Sequence, residues 1–131
     1  MRTFSAALLL ALLALVATGC FGGGGDDDLF PDVVSATLVP GGGDSFTATV
    51  TISSPYDSDS RYADGWRILG PDDEVIIETE LAHDHADEQP FTRSSGGFVI
   101  PDDITEVTFQ GRDIESGWGG GTLTVPVPGR N

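Results

Sequence analysis

His83 and His85 stand two residues apart in the stretch "LAHDHADEQPFTRS", residues 81–94, with Asp84, Asp87 and Glu88 around them and Arg93 following. In extended backbone an i, i+2 spacing turns both rings to one side. Two imidazoles joined by a carboxylate from Asp87 or Glu88 form a donor set for zinc or copper, with one position open. The chain holds no third histidine, so a closed structural site of four soft ligands is excluded. The plainer reading is a solvated loop whose acids face Arg93 or Arg67 and whose histidines bond to backbone.

Two other stretches invite chemistry. "YDSDSRYADG", residues 56–65, spaces acids like a calcium loop. An EF-hand wants an acid or Asn at its fifth position and Gly at its sixth, and Arg61 and Tyr62 stand there. An exposed acidic turn is the expectation, with a loose calcium site from Asp57, Asp59 and Asp64 as the alternative. "GWGGG", residues 117–121, sets Trp118 among glycines. The expectation is an aromatic closing one end of the domain, the alternative a platform for a sugar or partner. No helix follows, which removes a phosphate-cradling reading.

Catalysis finds little footing. No serine sits in a nucleophile-elbow pattern. A glycosidase needs two carboxylates flanking a cleft, which a small β-domain seldom builds alone. The sequence therefore predicts no enzyme.

The elements that must carry these residues read as β throughout. "SFTATVTIS" alternates apolar and threonine residues with the period of a half-buried strand. Similar runs occur at 33–39, 65–69, 74–81, 97–100, 105–112 and 122–127, separated by Gly, Pro and Asp turns. "GPDD" between the third and fourth runs predicts a hairpin. The fold expected is all-β, an immunoglobulin/fibronectin-III-like sandwich of about seven strands with Trp66 as core anchor, and a small open barrel is the alternative. Pro126 and Pro128 place the last strand at an edge.

The first 20 residues, "MRTFSAALLLALLALVATGC", join a charged start to an apolar run from Ala6 to Ala17. A run that short fits a signal h-region of about 7–15 residues and falls short of the roughly 20 needed to span a bilayer. Small residues then lead into Cys20, the only cysteine, so no intrachain disulfide can form. This end resembles a prokaryotic lipoprotein signal, with Ala17 where the commonest pattern has Leu. The resemblance implies that residues 1–19 are removed and that Cys20 becomes an acylated N-terminus (palmitate or a similar chain), the membrane being a partner through that anchor. The location implied is the cell membrane or the outer membrane, facing the periplasm or cell exterior. Residues 20–32 then read as a Gly/Asp-rich tether, with a reach of roughly 20 Å, and 33–131 as the β-domain.

With 1–19 removed, five arginines face 21 acids, and 5 − 21 gives −16; there is no lysine. Such a surface repels nucleic acid and anionic lipid alike. It favours solubility, including in a saline habitat, or the gathering of cations.

The block "ADGWRIL", "LAHDHADEQPFTRS" and "VIPDDITEVTFQGRD" is similar to a group of small bacterial proteins of unassigned function, over about residues 63–113. Its motif pairs a D-G-W-R strand with H-x-H-x-x-E-Q-P-F-T-R-S and a later R-D. The resemblance implies a compact exported β-domain and directs attention to His83, His85, Glu88, Gln89, Arg93, Arg112 and Asp113; the last four, with Trp66, Arg67 and Trp118, make up the candidate interaction or structural network. It implies no activity. Arg93 or Arg112 paired with Glu88 or Asp64 would make the motif a structural network that fixes a crossover. The function expected is a lipid-anchored envelope protein with a binding or structural role, meeting an envelope protein or glycan through an edge strand or loops; the alternative is an envelope metal-binding protein.

Overall fold

The computed structural model describes residues 29–130. The expected signal segment, Cys20 and the glycine–aspartate run lie outside the described residues.

Seven strands are present: β1 (Asp32–Pro40), β2 (Ser45–Ser53), β3 (Ala63–Leu69), β4 (Val75–Glu80), β5 (Phe91–Val99), β6 (Glu106–Asp113) and β7 (Gly117–Pro126). They form two antiparallel sheets, β1-β2-β5 and β4-β3-β6-β7, with no helix among the described residues. The fourth strand joins the third, so the order departs from the immunoglobulin constant arrangement, where it completes the first sheet. β7 is an edge strand, as its prolines predict.

Alternation sets the core. Phe46, Ala48, Val50 and Ile52 of β2 point inward and are buried, while the threonines between them are partly exposed. They meet Trp66 and Ile68 of β3 and Val107 and Phe109 of β6 in one cluster. Trp66 is fully buried and stacks on Phe109, with centroids 6.2 Å apart. Its indole nitrogen has no hydrogen-bond partner among the described residues. Deep burial of the ring has been retained at the expense of that donor.

Two strands differ from expectation. β5 runs over Phe91–Val99, not 97–100. Its middle is polar because β5 is an edge strand, and only Phe91 and Phe98 are fully covered. β7 begins at Gly117, inside what the sequence predicts as a turn. The glycines there are strand residues for a packing reason. A side chain at Gly119 would collide with the Phe30 ring, and one at Gly120 (φ +83°) with the Pro31 carbonyl. Gly121 donates its N–H to Asp32 Oδ1 at 2.6 Å. The chain thus enters β1 across a bare strip of β7, which no residue with a Cβ could line.

The antiparallel order places the start of β1 and the 54–62, 81–90 and 114–116 connections at one end of the sandwich. At the other end Arg130 donates to the carbonyls of Ile100, Pro101 and Ile104, which fastens the C-terminal segment to the β5–β6 turn.

Candidate functional site

The chemistry-bearing residues gather at the end where the chain enters. The connection from β2 to β3 crosses between sheets there and carries Ser54, Tyr56, Asp57 and Arg61. Two buried carboxylates organise it, Asp57 and Asp113.

Asp57 sits under the histidine loop. Its Oδ1 accepts the N–H of Ala63 at 3.1 Å, and its Oδ2 accepts the N–H of His85 at 2.9 Å. One carboxylate therefore holds the start of β3 to the β4–β5 connection. The acid expected in an exposed turn is instead buried, because two amides replace its water. His85 is buried too, its ring stacked on Phe91 with centroids 3.8 Å apart. Its Nδ1 lies 3.5 Å from Asp57 Oδ2 yet makes no hydrogen bond, so the contact is electrostatic only. Burial pushes the imidazole pKa down, and Arg93 adds to this; Asp57 and Glu88 oppose it, and His83 lowers it slightly. The ring is therefore neutral near pH 7.

Gln89 completes this knot. Its amide accepts the N–H of Ser54 at 2.6 Å and donates to Ser54 Oγ and to the His85 carbonyl. The peptide bond from Gln89 to Pro90 is cis. Glu88 and Arg93 pair at 2.7 Å on the outside, and Arg93 also reaches the Thr92 carbonyl and lies over the Phe91 ring. That bond with Arg93 holds the Glu88 carboxyl below its ordinary range.

Asp113 ends β6. It accepts N–H groups from Glu115 and Ser116 at 2.9 and 2.8 Å, the Tyr56 hydroxyl at 2.9 Å and the Arg61 guanidinium at 3.2 Å. Burial alone would raise its pKa; the two amides, then Tyr56 and Arg61, hold it below the ordinary range instead. The same burial and the neighbouring carboxylate push the Tyr56 phenol well up.

On the outer face of the four-stranded sheet, Trp118 is half-buried beneath two arginines. The Arg67 guanidinium lies 4.2 Å from its ring centroid and that of Arg112 5.7 Å. Arg67 also donates to Gln110, and Arg112 lies 3.6 Å from Asp64. Two cations against one indole ring make a packed ladder across three strands.

The histidine set expected for a metal is partly assembled. The His83 and His85 rings are 5.0 Å apart and tilted by 40°. His83 is exposed, with Nδ1 at 2.8 Å from the Asp84 carbonyl oxygen, and Asp87 is exposed. Glu88 is turned to Arg93. No group of three or more His, Cys, Asp or Glu among the described residues is arranged to hold a metal ion. Asp57, Asp59 and Asp64 likewise do not converge. Both ion pairs expected of the motif are formed, Glu88 with Arg93 and Asp64 with Arg112.

Sequence reasoning missed Ser54, Tyr56 and Arg61, and weighed Asp57 only as a ligand of a loose calcium site. The only signal in the chain is "SSPYD" leaving a strand, which reads as any polar turn. No protein-family model, curated protein or solved structure matches this chain.

Proposed function

We propose that this is a lipid-anchored envelope protein whose β-sandwich has a binding or structural role and no catalysis of its own. One observation carries the reading: the residues best suited to chemistry are engaged inside the fold. His85 is shut against Phe91 and Asp57, Gln89 ties Ser54 to the His85 carbonyl, and Asp113 is surrounded by four donors. The distinctive motif then serves to knot three connections at the end nearest the tether. A domain so braced would hold its faces rigidly at the end of the expected Gly/Asp-rich tether. The strand order, with β4 beside β3, supports the fibronectin-III-like form of the sandwich.

The anchor is tested by fractionation and intact mass. The wild-type chain should partition with membranes and carry acyl chains on Cys20, and Cys20→Ser should release it unmodified. Release of the wild type without acyl mass would remove the anchor from the account.

A second reading, an envelope site for zinc or copper, draws on the 5.0 Å approach of the two imidazoles. It requires His85 to leave Phe91 or to bind through one edge, with His83 and a carboxylate from Asp87 or Glu88 completing the set. Unfolding of the wild type and of the double histidine variant, each with and without metal, separates the two readings.

A further inference from the structure

The register of β1, β2 and β5 fixes which residues face outward. Thr37, Thr49 and Ser94 form one row across the sheet, and Ser35, Thr51 and Thr92 form the next. Toward the far end the same face continues through Val39 and Val99, which are 52% and 61% exposed. No charged residue stands in these rows, in a chain of formal net charge −15. The other sheet is charged in two of its outward rows, Glu78 with Arg67 and Gln110, and Glu80 with Arg112 and Trp118, and neutral in a third, where Val75, Leu69, Thr108 and Thr124 align.

Covering the neutral face costs little. Thr49 bonds to Ser94, and Thr51 to Thr92, both at 2.9 Å, so these hydroxyls are satisfied within the sheet. A glycan would want an aromatic platform, and the aromatics of this sheet, Phe46, Phe91 and Phe98, are buried on its other side. A cationic partner would find its acids elsewhere. A second copy of the chain fits best. Two acidic molecules repel in most orientations, and an approach through these rows puts no charge between them. Hydroxyl and valine surface is also complementary to itself, as a two-fold contact requires.

We propose that the outer face of β1-β2-β5 is a homotypic contact, where two copies of this protein meet. Its extent is roughly 20 Å by 10 Å from strand rise and spacing, well under the approximately 800 Å² per partner of a stable complex. The dimer is therefore weak. The inference rests on the register and not on the anchor.

Sedimentation equilibrium tests it, on a chain from residue 20 with Cys20→Ser, so that neither lipid nor thiol can link copies. That chain contains the whole sandwich, β1 to β7. Self-association should emerge between about 10 μM and about 1 mM, and should strengthen with salt, because screening removes body repulsion while the contact holds no ion pair. Thr49→Asp should weaken it at least about tenfold, a change of about 1.4 kcal/mol. Thr108→Asp, which breaks the matching hydroxyl pair with Thr124 on the other sheet, should leave it close to wild type. Thr37→Lys makes the chain less negative and should still weaken association, and at its exposed edge position it serves should Thr49→Asp fail to fold. A monomer at the highest concentration and salt, or equal effects at positions 49 and 108, would overturn the contact.

Discussion

Asp57 and Asp113 are both buried carboxylates at the same end of the sandwich, and both accept two backbone N–H groups. They differ in what stands beside them. Asp113 has a cation, Arg61, and the Tyr56 hydroxyl. Asp57 has a neutral imidazole that makes no hydrogen bond to it. A buried charge with a fixed cation and four donors is settled over a wide pH range. The imidazole beside Asp57 is kept neutral by its own burial, so this fastening includes a group that acid can charge. The β2–β3 connection is therefore fastened twice, at one point durably and at the other conditionally.

The comparison is broken most severely at Asp113. Asp113→Ala would take one acceptor from Arg61, which keeps Glu115 and Ser116, and the acceptor of Tyr56 and two amides, so denaturant unfolding should show a loss of about 3 kcal/mol. Asp57→Ala orphans two amides and no cation, so the same measurement should give a smaller loss, about 2 kcal/mol. Equal losses would mean that Arg61 adds nothing.

Acid should separate the two points. Burial keeps folded His85 from taking a proton until below the unfolded value of about 6.5. Between the two values the unfolded chain binds the extra proton, so stability falls as pH drops below about 6.5, by at most about 1.4 kcal/mol per pH unit. Asp113 behaves otherwise, since its folded pKa is depressed. Its contribution is present above the unfolded carboxylate value of about 3.9 and is lost only as pH falls through the lower folded value. Unfolding free energy measured against pH should thus fall in two stages, and His85→Gln should remove the upper one alone. A single fall below pH about 4 in the wild type would show that His85 is not held neutral.

Arg93→Ala should do least. Its pair with Glu88 is exposed on both sides, and such pairs contribute little. The stability at neutral pH should stay within error, while the upper acid stage should become shallower, since a cation that disfavours protonated His85 has gone. A large loss at neutral pH would make Arg93 part of the knot itself.

Much of the frame was legible because it follows from local rules. The alternation of β2, the "GPDD" hairpin and the buried Trp66 each depend on residues close in sequence. β5 was misjudged because an edge strand needs few apolar residues, and "TRSSGG" offers none. The glycines of β7 read as a turn because their reason lies about 90 residues away, in Phe30 and Pro31. The same holds for the site. Pairing of Glu88 with Arg93 was foreseeable at five residues' separation, whereas Asp57 and His85 are 28 residues apart and Tyr56 and Asp113 are 57 apart. Nothing in the local pattern distinguishes a buried aspartate that accepts backbone amides from a solvated one.

The central claim is that the histidine stretch is a fastening and not a metal site. Unfolding of the wild type and of His83→Ala/His85→Ala, each with zinc, with copper and with a chelator, tests it most directly. The account predicts the same midpoint for the wild type in all three conditions, and a lower midpoint for the variant that no ion restores. A rise with one metal in the wild type, absent from the variant, would contradict it and make His83 and His85 ligands.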